Sequence, residues 1–241
     1  MVSMNIIPIA PLLVFMKNSA DSRTFMITGI KRDRLPWMGD LAVSLMANAY
    51  TFRDEECIRW TLAVLGRCGI DNISSLCRSK LEEPDSSALA TSHVNGIVDY
   101  SLWYFICHWQ YQRYFGDKSF LHHEWRLIEH RLRHLLMSCS DEETGRFIIN
   151  DGDSLFIDWT GDHAKKSISV QILWWYALNC AISLAQTVVD RMGESGQHRR
   201  ISEFIAKLSE RQSRAEKSYL QMDDVQLGFS RHSHILGVGT L

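Results

Sequence analysis

The sequence predicts an all-α protein. All four prolines fall within the first 84 residues, and beyond them the chain reads as long segments of helical periodicity parted by Gly- and Asp-containing breaks. These segments alternate as antiparallel hairpins, and no exact repeat of the solenoid kind relates them. That alternation suits a helical toroid as well as an irregular bundle. At 241 residues the chain can bury a sizeable core, and one large domain is favoured over two small ones.

The elements follow in order. Residues 1–24 show no periodic signal and are expected to form a poorly defined segment ahead of the domain at 25–241. A short helix is predicted over 41–50 and a second over 54–65, where Asp54, Glu55 and Glu56 favour a helix N-terminus. A third is expected at 74–81. Pro84, Asp85 and a Ser-Ser pair make 82–95 a loop. A strongly aromatic helix over 97–115 ends at Gly116-Asp117, and a charged amphipathic helix covers 119–139. Residues 141–165 are rich in Asp and Gly with little periodicity, and a loop that long inside a compact domain is usually functional. Helices resume over 167–191 and 199–219, and a last one starts near Ser230.

Composition excludes several functions. With 26 basic and 28 acidic residues the formal charge is -2, which gives no electrostatic footprint for nucleic acid or an acidic membrane. The chain contains no 18-residue uninterrupted apolar run of the kind that spans a bilayer. The apolar run at 6–15 holds Pro8 and Pro11 and has no basic residue before it, so it is not read as a secretory signal. Cys57, Cys68, Cys77, Cys107, Cys139 and Cys180 form no Cys-x-x-Cys pair, and free thiols in a reducing cytoplasm are expected. Phosphate-binding Gly loops, Ser-His-Asp constellations and Cys-His nucleophile signatures are absent from the sequence.

The stretch richest in chemistry is 29–40, Gly-Ile-Lys-Arg-Asp-Arg-Leu-Pro-Trp-Met-Gly-Asp. Asp33 and Asp40 are seven apart, with Trp37 four after the first and three before the second, spacings that share a face on a helix. Two carboxylates around an indole suit carbohydrate chemistry, since acids move protons and an aromatic plane packs on the apolar face of a sugar ring. The eight tryptophans of the chain fit the same class, although most tryptophans serve as core.

This motif resembles the catalytic segment of the α-L-rhamnosidases of glycoside hydrolase family 78. Three further stretches fit in the same order, at 93–103, 156–159 and 229–236, so the likeness runs from about Phe25 to the C-terminus. The resemblance implies an (α/α)6 toroid of six helical hairpins, and inverting hydrolysis of a terminal α-L-rhamnosyl residue without metal or cofactor. It further implies Asp33 as the general acid, Trp37 as a wall of the sugar pocket and Asp40 as a hydroxyl-binding carboxylate. The expected partner is a rhamnose-containing glycoside. An inverting site also needs a base opposite the acid, roughly 6.5 to 9.5 Å away. The family's base lies beyond residue 241, Thr28 stands where the family often has Asp, and Asp33 is one methylene shorter than the usual Glu.

Twelve helices with median loops need roughly 200 residues at the least, and long active-site loops add more. About eight helices are found here. The expectation is a truncated domain of some four hairpins, whose exposed apolar helix faces favour self-association.

Other residues have plainer readings beside the functional one. Asp99 and Trp103 lie one turn apart and either face a cleft or serve as a helix-start acid and a core ring. Asp158 and Trp159 sit in the Asp-rich loop and are better placed for a pocket rim than for the core, while Asp153 and Asp162 read as solvated. Trp174, Trp175, Tyr176 and Trp109 are read as helix packing, and His108, His122, His123 and His134 have no partner at metal spacing. A sugar-binding protein that keeps Trp37, Asp40 and Trp159 without a base, or another six-hairpin hydrolase or lyase, stays open.

Overall fold

The computed structural model describes residues 4–5, 14–17, 24–27, 37–67, 98–149, 155, 163–192 and 196–226. The all-α expectation holds. Six helices are described: α1 (Met38–Thr51), α2 (Glu55–Arg67), α3 (Val98–Phe115), α4 (Lys118–Ser138), α5 (His163–Val189) and α6 (Gly196–Gln226). They pair in chain order into three hairpins. The helices expected at 74–81 and from Ser230 lie outside the described residues, so the expected fourth hairpin does too.

A small antiparallel sheet precedes the helices where the sequence suggested no element: β1 (Met4–Asn5), β2 (Val14–Lys17) and β3 (Thr24–Ile27), in that spatial order. Val14 pairs with Ile27 and Met16 with Phe25. The sheet is tied to α2 through one hydroxyl. The Met26 amide donates to Thr61 Oγ1 at 2.8 Å, and that hydroxyl donates to the Cys57 carbonyl at 2.7 Å. Met26 and Thr61 are both buried, and pairing their polar atoms avoids the penalty of an unmet donor.

Local chemistry sets the helix ends. Asp54 Oδ1 accepts from the Cys57 amide and Asp117 Oδ1 from the Phe120 amide, each at 3.0 Å, so two aspartates cap α2 and α4. Gly116 stops α3 by taking a φ of +71°, a conformation that costs a side-chain-bearing residue more. The predicted spans for α3 and α4 agree with the structure to within one residue at each end. In contrast, α5 starts at His163, inside the predicted loop, and α6 extends past the predicted 219 to Gln226. The start of α5, His-Ala-Lys-Lys-Ser, lacks the apolar period that would have revealed it, whereas Leu220, Met222 and Val225 are apolar residues beyond the predicted end of α6.

The hairpins stack as two rows. In the outer row α2, α4 and α6 run parallel: Arg59 pairs with Asp117 at 3.9 Å while the Arg131 guanidinium donates to the Gly66 carbonyl. Arg200 meets Glu129 at 3.1 Å and Arg211 meets the Leu136 carbonyl at 3.3 Å, which aligns α4 with α6. In the inner row α1 and α3 are parallel, because Trp37 meets Tyr100 at their starts and Tyr50 meets Tyr114 at their ends. Helix α5 turns back into α6, with Gln212 donating to Asn179 at 2.8 Å, and so runs with α3, where Tyr176 lies edge-on to Trp109 at 6.1 Å. Inner helices beside one another, backed by outer helices, form part of a six-hairpin (α/α) toroid, with three hairpins among the described residues.

Residue choice explains the rows. Helix α3 buries Leu102, Tyr104, Phe105, Ile106 and Tyr111, and α5 buries Trp174, Leu178, Ala181, Leu184 and Val188, with apolar side chains spread around each helix. Helices α2, α4 and α6 carry one apolar stripe and a charged outer side, as covering helices should. Residues Ile168–Val189 are apolar and long enough to cross a membrane, yet most of that stretch is buried as the inner helix against α3 and α6. Cys57, Cys107 and Cys180 are buried thiols and Cys139 a half-buried one, and none of these four is in a disulfide. Burial pushes the Cys180 thiol up to about 12, which leaves it protonated and inert at neutral pH. His108 is buried and stacked on Phe120 with ring centroids 5.7 Å apart, so it belongs to the seam between α3 and α4.

Candidate active site at the N-terminal ends of the inner helices

Because the inner helices are parallel, their N-termini converge on one end of the row. Trp37 stands at the start of α1 in extended conformation (φ -122°, ψ 134°), and its carbonyl accepts from the Leu41 amide at 2.9 Å. Its half-buried indole meets the Tyr100 ring edge-on at 6.0 Å and 85°. Asp40 follows in the first turn, half-buried, with its own carbonyl accepting from Ser44 Oγ at 2.8 Å. A carboxylate there is favoured by the positive end of the helix.

On the neighbouring helix, Asp99 lies in the first turn of α3 and is fully buried, with Trp103 half-buried one turn on. Asp99 adjoins Tyr100, the residue that touches Trp37, so the two sequence-predicted groups meet at one place. The Cys107 thiol, 3.7 Å from the Met38 carbonyl, holds the same seam closed further along. Four predicted site residues, Trp37, Asp40, Asp99 and Trp103, are therefore brought to one end of the inner row. Asp33, Asp158 and Trp159 lie outside the described residues.

Two residues that sequence reasoning passed over make this convergence work. A Cβ at Gly39 would sit 2.5 Å from Tyr100 Cε1, so the start of α1 can approach α3 this closely only with glycine. The signal was a glycine in the first turn of a helix, between Trp and Asp, where it costs up to roughly 1 kcal/mol relative to Ala and needs a packing reason. Tyr100 is the other. It is 4% exposed and serves as the common wall for Trp37 and Gly39.

The rim at this end is braced by residues 139–149, the stretch between α4 and the remainder of the Asp-rich loop. Ser140 bridges to Phe147, and Gly145 takes a φ of +73° to make the turn. Asp141 Oδ1 accepts from both the amide and hydroxyl of Thr144 at 2.6 Å, bonds that hold its carboxyl below the usual range. Gln171 clamps the Phe147 backbone twice, accepting from its amide and donating to its carbonyl, each at 2.8 Å. Trp174 Nε1 donates to the Gly145 carbonyl at 3.0 Å, and Arg211 donates to the Ser140 and Asp141 carbonyls from α6. Among the described residues no group of three or more His, Cys, Asp or Glu is placed to hold a metal ion.

This arrangement offers half-buried and buried carboxylates beside indole and phenol rings at one end of a helical row. Such a combination can bind sugar hydroxyls and pack a sugar ring. The sequence pattern of glycoside hydrolase family 100, alkaline and neutral invertase, matches residues 78–230. The fold is similar to that of a rhamnosidase from Klebsiella oxytoca with rhamnose bound (TM-score 0.61, 22% identity, 79% of this chain and 33% of that chain). It is also similar to the family 78 rhamnosidase of Bacillus sp. GL1 (TM-score 0.56, 16% identity, 80% of this chain and 18% of that chain). No curated protein matches in sequence. The chain thus spans about a third or less of the solved proteins it resembles.

Proposed function

This chain belongs to glycoside hydrolase family 100, the alkaline and neutral invertases, and on that premise we propose that it acts on a glycoside, as an inverting hydrolase that releases a terminal α-L-rhamnosyl residue. One observation carries this reading: the segment holding Trp37, Gly39 and Asp40 packs against the segment holding Asp99, Tyr100 and Trp103, some 60 residues later, at one end of the inner row. Both segments belong to stretches that resemble the rhamnosidase pattern, and a solved relative in fold carries rhamnose.

In the proposed reaction Asp33 protonates the glycosidic oxygen of the leaving group. A carboxylate base on the opposite face of the ring activates water, which attacks the anomeric carbon and inverts it. Trp37 packs on the sugar, Asp40 accepts from its hydroxyls, and Asp99 and Trp103 line the deeper wall. Asp158 and Trp159 supply the rim. No residue is assigned as the base.

The family match supports a second reading. It covers 78–230, which includes Asp99 and Trp103 but not the motif at 29–40. On this reading the scissile bond is that of sucrose, the bond an invertase splits.

An assay of the purified chain on an aryl α-L-rhamnoside and on sucrose separates the two. Rhamnoside turnover that Asp33→Ala abolishes for a poor leaving group, and spares for a strongly acidic phenol, supports the first reading, because only the poor leaving group needs the proton. Turnover of sucrose alone transfers the site to the second. Rhamnose binding without turnover on either substrate would leave a sugar-binding protein and sink the hydrolase reading for this chain.

A further inference from the structure

A groove between α4 and α6, behind the turn at 139–149, collects positive charge on a chain whose formal charge is -2. It encloses about 540 Å³ and is lined by Arg133 of α4 and by Lys207, Arg211 and Arg214 of α6, with two carboxylates, Glu142 and Glu210. Lys207, Arg211 and Arg214 repeat at i, i+4 and i+7 and so share one face of α6. Leu136 and Phe204 form a buried apolar floor, and Met137, 84% exposed, stands as a side wall.

Bonds within the protein already fix the guanidinium groups and leave some of their donors unused. Arg211 makes its hydrogen bonds from Nη1, to the Ser140 hydroxyl at 2.5 Å and to the carbonyls of Leu136, Ser140 and Asp141, which leaves Nε and Nη2. Arg133 gives Nε and Nη2 to Glu129 at 2.9 and 2.7 Å, and lies 4.1 Å from the centroid of the Phe204 ring, which leaves Nη1. Arg214 uses both terminal nitrogens, on the Glu142 carbonyl and the Glu210 carboxylate. Glu129 and Glu210 thereby balance Arg133 and Arg214. Lys207 and Arg211 form no ion pair among the described residues, and Asp141, whose carboxyl senses Arg211, is bonded instead to Thr144.

We propose that this groove binds a dianionic phosphate monoester, whose phosphoryl oxygens accept from the unused donors of Arg133, Arg211 and Lys207 while its organic group lies over Leu136 and Met137. Charge selects a dianion, because two cations here are not balanced by a carboxylate. Donor type selects phosphate, since guanidinium forks match its oxygens in geometry and an ammonium adds a point charge. Room selects an ester over the bare ion, because a groove of this size with an apolar floor accommodates an organic group as well. The arginines are held in place before any ligand arrives, which lowers the entropic cost of binding. The groove shares no residue with the candidate active site. Arg211 and Arg214 nevertheless hold the carbonyls of residues 140–142, so an anion on these side chains tightens the turn at 139–149.

Isothermal titration calorimetry on the full chain at pH 8, with phenyl phosphate and with benzenesulfonate, a monoanion of similar shape, tests the proposal. Phenyl phosphate is expected to bind one to one, with benzenesulfonate and inorganic phosphate each weaker by at least about tenfold, the worth of one charge-assisted bond or a few buried carbons. Lys207→Gln, at an exposed position, is expected to weaken phenyl phosphate about tenfold with unchanged circular dichroism. Lys118→Gln makes the same charge change at an exposed position at the start of α4, outside the groove, and is expected to leave the affinity unchanged. Bound phenyl phosphate is also expected to slow amide hydrogen exchange at 139–149. Absence of binding at millimolar phenyl phosphate overturns the proposal, as does equal affinity for the ester and either control anion. Equal losses from Lys207→Gln and Lys118→Gln, or slowed exchange only in segments away from α4, α6 and this turn, overturn it by placing the ligand elsewhere. None of these readouts uses a glycoside, so failure of the hydrolase reading leaves this one standing.

Discussion

The two rows of helices are held by different forces. The outer row is knitted by charge: Glu129, almost fully buried, accepts from Arg133 at 2.7 Å on its own helix and from Arg200 at 3.1 Å on α6, and Arg199–Glu203 and Arg214–Glu210 run along α6. The inner row is held by shape, with Gly39 against Tyr100, Tyr50 against Tyr114, and Trp174 buried beneath the 139–149 rim. Ion pairs with solvated arginines tolerate small displacements and weaken in salt. Close-packed rings do not tolerate displacement, so a site that needs fixed geometry is better built on the inner row.

If that distinction is right, the largest effect comes from the inner row. Trp174→Ala removes a fully buried indole and its bond to Gly145, and is expected to cost about 3–5 kcal/mol in denaturant unfolding. A loss under about 1 kcal/mol, the level of a surface ion pair, would break the comparison. Next, a matched pair of glycines tests shape directly. Gly39→Ala forces a methyl into Tyr100 and is expected to cost about 1–3 kcal/mol, and also to weaken sugar binding by shifting Trp37 and Asp40. Gly196→Ala meets open space at the start of α6 and is expected to be neutral or to gain up to about 0.5 kcal/mol. Equal effects at both positions would remove the shape argument.

In the outer row, Glu129→Gln is expected to cost only about 1 kcal/mol, because Arg133 and Arg200 remain partly solvated, and the loss should shrink in high salt. A salt-independent loss would mean that packing, not charge, holds that row. The smallest effects are in pH dependence. Burial raises the Tyr176 phenol on α5 to about 12, so its contribution is whole below the ordinary value of 10 and is lost as pH rises towards 12. Burial lowers the His134 imidazole on α4, with nearby His130 adding to the shift, so its contribution is whole above 6.5 and is lost as pH falls through the lowered value. Tyr176→Phe should flatten the alkaline limb of a stability profile and His134→Gln the acid limb. A variant that changed the opposite limb would contradict the assignment.

Much of the fold was legible in local sequence. Asp54 announced a helix start, Gly116-Asp117 a helix stop, and the aromatic run at 97–115 a helix, because capping and periodicity are properties of neighbouring residues. Polar helix ends were not legible. His163 begins α5 in a polar stretch, His-Ala-Lys-Lys-Ser, with no apolar period to mark the boundary. The sheet of β1, β2 and β3 was missed because strands of two to four residues are too short to show alternation, and β3 is joined to Thr61 on a helix far along the chain.

The candidate site divides in the same way. The chemistry of Trp37 and Asp40 could be read from a twelve-residue motif, and Asp99 with Trp103 from one helical turn. Tyr100 as the wall between them could not, since nothing near position 100 records that a glycine will arrive from position 39. Sequence alone determined the class, the hairpin order and the residue types suited to a sugar, because those depend on contacts within a few positions. Only tertiary structure decided which helices are inner and which ends converge. These depend on contacts between residues tens of positions apart, and such contacts are made by packing volume, which no local pattern encodes.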